Sequence, residues 1–576
     1  MTQIPVESVI AGTEFTELRV RPDGSDRLSW IASSPAGAQL RIGDENGVVN
    51  HDLEPAVAAG RGNGGGAYDW CSDGSAIVYA AKDGSLIEYS PETRISRVVR
   101  ARDGRSVAGV AVHGGRIACI ADSREVMIVN LGNGRTRVID NVPDFAFDPA
   151  WVARGLVWSA WNVPHMPWES SGVRMWSAWR ARWYVKPGDS QVQQVRPAPG
   201  GAVGCVSDRG GWLNVSRITG MVHGRIAPMI NETFEHADPT WGMGQRSWAT
   251  HGSNLYFTRN ESGYGRLLHR NVETGEDTEL GKGIHESLCV GDGFVAAIRS
   301  GAKTPSQIVR YSGDQHARTI IDTIGDFSQF AEALVEPEVL EVAGLVVRRY
   351  SAPMPNGRHL VFVHGGPTDQ WQVVWYPKIN YWLSRGYTVH VPDHRGTTGH
   401  GRAFQQSLLG HWGEYDSDDI AGIIRALALP RACVAVVGGS AGGMTALNVA
   451  ADHPDIAACV VVSYPVTDLA HLAATSHRFE KHSVYSLAGD AASFATHSPL
   501  SKCAALANTP LLVMHGDNDP VVPTEQGRAL VDGVRAAGGS AEFELMVGEG
   551  HGFRRPENKM REYTRMEEFF NSHMFG

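Results

Sequence analysis

The grammar of this chain changes near residue 330, and that change restricts its fold more than any other feature. Before it, short apolar runs alternate with tight polar turns. Asp69-Trp70-Cys71-Ser72-Asp73-Gly74-Ser75 leads into Ala76–Ala80, and Lys82-Asp83-Gly84-Ser85 turns into Leu86–Tyr89. Asp-Gly between apolar runs is a strong hairpin signal. Related phrases recur: Asp148-Pro149-Ala150-Trp151 precedes Gly155–Trp158, Asp238-Pro239-Thr240-Trp241 precedes Asn254–Phe257, and Asp26–Ile31 reads as a degenerate copy. Such recurrence predicts β-propeller blades of about 40–50 residues, roughly seven in all. A pair of β-sandwiches is the alternative, because the repeats are irregular.

Past about residue 335, apolar strands alternate with helices. His359–Val363, Tyr387–Val391, Val434–Val437, Ala458–Ser463 and Leu511–His515 read as strands, Asp418–Leu427 as a helix, and Glu341–Tyr350 as an opening hairpin. That alternation predicts a parallel sheet covered on both faces. The expected architecture is an N-terminal all-β propeller over residues 1–330 and an α/β domain over residues 331–576.

Bulk properties exclude several classes. Apolar residues make up 42% of the 576 and charged residues 20%, enough to bury large cores. A net charge of −10 argues against nucleic acid or an anionic membrane as partner. No apolar run reaches the roughly 18 residues of a membrane helix, and the N-terminus lacks the pattern of a leader, so a cytoplasmic location is expected. The seven cysteines are scattered and never form C-x-x-C; they read as small buried hydrophobes, not as a disulfide framework or zinc site. Homo-oligomerisation is left open.

The chemistry begins at Gly438-Gly439-Ser440-Ala441-Gly442, between the strand Val434–Val437 and the helix-like stretch Met444–Ala450. Strand, sharp Gly-rich turn and helix are the setting in which G-x-S-x-G is a nucleophile elbow; the competing reading is a turn that binds phosphate or merely turns. In an α/β-hydrolase the acid and then the histidine follow the serine, each after a strand. Here His515-Gly516-Asp517-Asn518-Asp519-Pro520 follows one strand and Gly548-Glu549-Gly550-His551-Gly552-Phe553 follows another. Ser440, Asp519 and His551 are therefore the expected triad, with Asp517 the competing acid. His551 would take the serine proton and Asp519 would fix its tautomer. The oxyanion hole needs two N–H donors. Ala441 follows the nucleophile, and Gly366 lies in His364-Gly365-Gly366-Pro367 directly after a strand. A plain Gly-Pro turn is the bland alternative for that loop.

Together with Asp393-His394-Arg395-Gly396-Thr397-Thr398-Gly399-His400-Gly401, Trp412-Gly413 and Gly550-His551-Gly552-Phe553, these motifs resemble the prolyl oligopeptidase family of serine peptidases. The similarity extends to its acylaminoacyl-peptidase and dipeptidyl-aminopeptidase-like branch through Trp161–Glu169, Asp238–Gly244 and Arg478-Phe479-Glu480. The resemblance implies a propeller joined to an α/β-hydrolase domain, short peptides as substrates, and no metal or organic cofactor. It implies an apolar specificity pocket near Tyr464, Val466, Leu469 and Val521, all of which also read as ordinary core residues. Glu169 is a candidate anchor for a substrate α-amine, though an exposed glutamate is usually just solvated. One departure matters. Many relatives carry Arg or Asn where Val521 stands, and an apolar side chain cannot hold a peptide carbonyl. Three functions are compatible: a serine peptidase cleaving a terminal amide of short peptides, of aminopeptidase or acylaminoacyl-peptidase type; a hydrolase of an aminoacyl amide or ester on a small molecule such as an antibiotic; and a non-catalytic propeller binding protein.

Overall fold

A computed structural model describes residues 2–10, 12–60, 64–313 and 315–575. The chain divides into two compact units. One comprises residues 13–301 and 305–325; the other comprises residues 1–12, 302–304 and 326–576.

The first unit is a β-propeller. Its described residues form seven four-stranded sheets, each built from four strands consecutive in sequence. The blades run from Glu14 to Asp52, Tyr68 to Arg100, Val107 to Asp140, Phe145 to Val185, Val192 to Pro228, Trp248 to Lys282 and Ile284 to Thr323. Apolar clusters are shared between neighbouring blades, one and two, two and three, four and five, five and six, and six and seven among them. The ring closes in the same way: Phe15, Leu18, Leu28 and Trp30 of blade one pack with Cys289, Phe294, Ala296 and Ile308 of blade seven. An Arg41–Asp322 ion pair at 2.7 Å joins the same two blades.

The seven blades share a backbone repeat invisible in the sequence. In or just before the first strand of each, one residue takes a positive φ: Glu17 (61°), Gly66 (60°), Gly109 (62°), Asp148 (53°), Gln194 (53°), Gly244 (83°) and Ser287 (54°). In blades one, three, four, five and seven the ladder register shifts there or close by, as a β-bulge requires. The similarity of the two Asp-Pro-x-Trp phrases is misleading. Asp148–Trp151 lies within a first strand, Phe145–Val152, whereas Asp238–Trp241 precedes the first strand of blade six.

The second unit is an α/β-hydrolase domain. Its sheet contains β1 (Glu338–Val342), β2 (Leu345–Tyr350), β3 (His359–Val363), β4 (Thr388–Pro392), β5 (Val434–Gly439), β6 (Cys459–Ser463), β7 (Leu511–Gly516) and β8 (Ala541–Met546). Their spatial order is 1-2-4-3-5-6-7-8. The β1–β2 hairpin joins β4 antiparallel, and every later pairing is parallel. Val361, Val436, Val460, Val462 and Val513 bury one face of this sheet against Ala446, Leu447 and Val449 of helix α1 (Ala441–Asp452). The residue 1–330 grouping expected from the sequence pattern does not hold at the N-terminus. Residues 1–12 group with the hydrolase domain, where Ile4 N–H donates to Ser384 Oγ (3.1 Å) and Arg385 donates to Ile4 O (3.0 Å).

Candidate active site

Steric demands explain the elbow. A Cβ at Gly438 would lie 2.1 Å from Gly442 O, and one at Gly442 would lie 2.4 Å from the carbonyls of both Val363 and His364. A Cβ at Gly443 would meet Pro465 at 2.8 Å. Only glycine allows β3, β5 and α1 to approach this closely. Between them Ser440 adopts φ 55°, ψ −124°, a sparsely populated conformation that lifts its side chain off the strand. Ala441 opens the helix, so its N–H has no acceptor within it.

The three residues expected to act together meet. His551 Nε2 lies 2.9 Å from Ser440 Oγ, and His551 Nδ1 lies 2.8 Å from Asp519 Oδ2. The other Asp519 oxygen accepts from the backbone N–H groups of Val521 and Val522, both at 2.9 Å. Burial pushes the Asp519 carboxyl up. Hydrogen bonds from His515 and His551, the charge on His551 and the Val522 N–H overrule it and hold the pKa below the usual carboxylate range. Asp517 points elsewhere: its carboxylate accepts from Gly548 N–H at 2.6 Å and from Asn518 at 2.8 Å.

The His364–Pro367 loop runs beside the serine. A Cβ at Gly365 would come within 3.5 Å of Ser440 Cβ, and Gly366 has φ 116°. The Asp393–Gly401 motif holds this loop. His364 is buried, with Nε2 2.7 Å from Thr397 Oγ1, and stacks on His394 at 4.5 Å. Burial and the neighbouring His394 push its pKa down to about 3, so it stays neutral. Gln370, further along the loop, donates to Asp393 at 2.8 Å. Asp393 also pairs with Arg348, both side chains fully buried, and accepts from His400 at 2.7 Å.

Val466, Leu469 and Val522 are buried in one apolar cluster with Ala441, Trp412 and Met444, and half-buried Val521 packs against it. Tyr464 has φ 40° and places its ring 4.6 Å from the His551 ring. Glu169 belongs to the propeller unit. It sits in a loop of blade four, where its carboxylate accepts from Met166 N–H (3.2 Å) and lies 3.5 Å from His165; its side chain is only 12% exposed. It is therefore a structured carboxylate rather than a solvated one.

Sequence reasoning missed the residues that hold the loops. Glu549 is buried and accepts from Arg554 N–H (3.0 Å), Arg555 N–H (2.8 Å) and Asn558 Nδ2 (3.0 Å), bracing the turn that carries His551. Asp416 accepts from Gly413 N–H at 2.6 Å and from the Thr445 hydroxyl, tying the Trp412-Gly413 turn to the helix behind Ser440. The available signal was an acid set beside a glycine motif in each case. Glu480, named above in the Arg478-Phe479-Glu480 motif, is a further acid, half-buried: burial pushes its carboxyl up, and His551 and His477 pull it partly back.

The prolyl oligopeptidase family description matches residues 374–575. The hydrolase domain belongs to the prolyl oligopeptidase family. Dipeptidyl aminopeptidase BIII of Pseudoxanthomonas mexicana is 30% identical over 239 residues, covering 39% of this chain and 34% of that protein. Acylamino-acid-releasing enzyme 1 of Oryza sativa subsp. japonica is 25% identical over 232 residues, covering 37% and 30%. The matches thus span about a third of these relatives' length. Among solved structures, a puromycin-hydrolyzing peptidase of Mycobacterium tuberculosis superposes with TM-score 0.91 at 23% identity, covering 100% of this chain and 96% of that one. A puromycin hydrolase reaches 0.87 at 23% identity, covering 100% and 97%. Both share this chain's fold, the propeller included. Among the described residues no helix is long and apolar enough to cross a membrane, and no cluster of metal-ligating side chains occurs.

Proposed function

We propose that this chain is a serine hydrolase that cleaves a terminal amide of short peptides through an acyl-enzyme. One observation carries the reading: a hydroxyl, an imidazole and a buried carboxylate joined in series at 2.9 and 2.8 Å. Ser440 Oγ attacks the substrate carbonyl carbon as its proton passes to His551 Nε2. The N–H groups of Ala441 and Gly366 hold the developing oxyanion. His551 then gives the proton to the leaving amine, and water, activated by the same imidazole, releases the acyl group. Asp519 stays ionised throughout and stabilises the imidazolium. The Val466–Leu469–Val522 cluster, with Val521 and Tyr464 at its edge, supplies the apolar wall for the acyl side chain. Glu169 is the proposed anchor for a substrate amine.

A second reading, an aminoacyl amide on a small molecule as substrate, draws on Val521. It provides only a backbone N–H, already given to Asp519, and no side-chain donor for a peptide carbonyl. The puromycin-hydrolysing structures that share the fold point the same way. We place the activity in a reducing, cytoplasmic compartment, because all seven cysteines are free thiols.

The test is a panel of chromogenic amides, with free-amine, N-acetylated and dipeptide acyl groups, together with puromycin, run on wild type and Ser440→Ala. Ser440→Ala is expected to lose activity by roughly five to six orders of magnitude in kcat and to lose labelling by a fluorophosphonate. Labelling that survives the substitution would sink the nucleophile assignment. Preference within the panel separates the peptide reading from the small-molecule one.

A further inference from the structure

The propeller contains a charged cavity that the hydrolase chemistry does not use. Its volume is about 500 Å³ and its lining comes from the first strand of all seven blades or the residues beside it, so it lies on the propeller axis. Arg19, Arg196 and Arg246 all line it. The bulge repeat explains their convergence: each stands two residues after the left-handed residue of its blade, Glu17, Gln194 and Gly244. Three guanidinium groups thus occupy equivalent places around one axis.

The acids of the cavity are committed to other partners. Glu17 pairs with Arg19 at 2.8 Å and accepts from Ala67 N–H at 3.1 Å. Asp69 accepts from the N–H groups of Trp70 (3.0 Å) and Val112 (2.9 Å), and Asp148 accepts from Gly244 N–H at 2.7 Å. Arg196 rests on neutral acceptors, the carbonyls of Gln245 (2.6 Å) and Trp248 (3.1 Å) and the side-chain oxygen of Gln194 (3.4 Å). Arg246 donates to no acceptor and pairs with no acid among the described residues. Arg246 is half-buried at the cavity wall, and a partly desolvated charge without a partner carries a cost that an arginine cannot escape by losing its proton near neutral pH.

We infer that the axial cavity is a binding site for a small oxyanion, carboxylate or phosphate, held by Arg246 and Arg196. Planar guanidinium groups suit such oxygens because they donate two parallel hydrogen bonds. The electrostatics agree. Burial and then the neighbouring Arg246 push Arg196 down to about 9, and burial and then Arg19 push Arg246 down to about 10. Burial is the largest influence on Asp69 and Asp148 and raises both carboxyls, while Arg19, Arg196 and Arg246 partly offset it.

The experiment uses the full chain and two probes, inorganic phosphate and succinate, each titrated calorimetrically at pH 7 and constant ionic strength. Wild type is expected to bind at least one of them, and Arg246→Gln to bind it about ten- to a hundredfold more weakly. Binding of phosphate alone assigns a tetrahedral ligand; binding of succinate alone assigns a carboxylate. Without anion, Arg246→Gln and Arg246→Met are expected to melt no lower than wild type, because each removes an unpartnered charge. No binding of either probe to wild type overturns the site. So does an unchanged affinity in Arg246→Gln, or a lower melting temperature of both unliganded variants, which would make Arg246 a structural prop.

Discussion

The two units bury charge differently. In the hydrolase domain the buried carboxylates of Asp393, Asp519 and Glu549 each meet several donors, and all three sit on loops that carry or flank the triad. The propeller also has satisfied pairs, with Arg174 donating twice to Asp140 at 2.8 Å and Arg19 pairing with Glu17 at 2.8 Å, but among the described residues Arg196 and Arg246 on its axis form no ion pair with an acid. Fully paired polar groups over-determine a loop and hold it in one conformation. Unpaired ones raise the energy of the empty state and leave it ready for a ligand. The difference therefore separates a site preorganised for chemistry from one that only a bound ion completes.

The largest effect that can break this comparison lies in the triad. If the Asp519 carboxylate preorganises His551, then Asp519→Asn removes about four orders of magnitude from kcat on the best amide of the panel. Asp517→Asn, whose carboxylate braces only Gly548 and Asn518, is expected to stay within about tenfold of wild type. Steady-state kinetics on the two variants decide between them, and the opposite ranking would reassign the acid.

A smaller effect tests whether pairing works alike in both units. Arg348 and Asp393 are fully buried, and Arg174 and Asp140 nearly so. Asp393→Asn and Asp140→Asn each leave an arginine buried beside a neutral amide. Each is expected to destabilise its own unit by about 3–5 kcal/mol in denaturant titrations. Asp393→Asn also loosens the loop bearing Gly366, so it is expected to lower kcat in what remains folded. Asp140→Asn is expected to leave kcat unchanged. An equal loss of kcat in both variants would show that pairing in the hydrolase domain has no special bearing on the site.

How much of this was legible in the sequence follows the same division. The strand His359–Val363 was read to the residue, and Val434 and Leu511 were read as strand starts, because buried parallel strands are continuous apolar runs. Ser440, Asp519 and His551, which the structure brings within hydrogen-bond distance, stood out because each follows such a strand in a fixed order. Glu549, Asp416 and Arg348 were missed because their partners are backbone groups or side chains that only folding brings near. The bulge repeat was illegible for another reason. Its seven left-handed positions hold Glu, Gly, Gly, Asp, Gln, Gly and Ser, so the backbone repeats while the side chain does not. The arginines two residues later therefore looked unrelated.

The smallest effect concerns protons. His364 in the hydrolase domain and His285 in the propeller are both buried, and burial is the main force that pushes each down to about 3. An unfolded histidine titrates near 6.5, so between about pH 6.5 and 3 the unfolded chain binds protons that the folded chain refuses. Stability from these groups is therefore full above about pH 6.5 and falls as the pH drops through that window, by about 1.4 kcal/mol per pH unit for each histidine. Replacing His364 with Gln is expected to flatten the acid dependence of hydrolase unfolding by one such increment, read from urea midpoints at pH 7, 5.5 and 4. His285→Gln is expected to flatten only the propeller transition. His364 differs from His285 in what it touches. It bonds Thr397 and stacks on His394 beneath the proposed oxyanion loop, whereas His285 bonds Tyr311 and the Gly283 carbonyl inside the propeller. Protonating His364 should therefore cost activity together with hydrolase unfolding, whereas His285→Gln is expected to leave the acid dependence of activity unchanged; an activity profile that shifts with His285→Gln instead would overturn this.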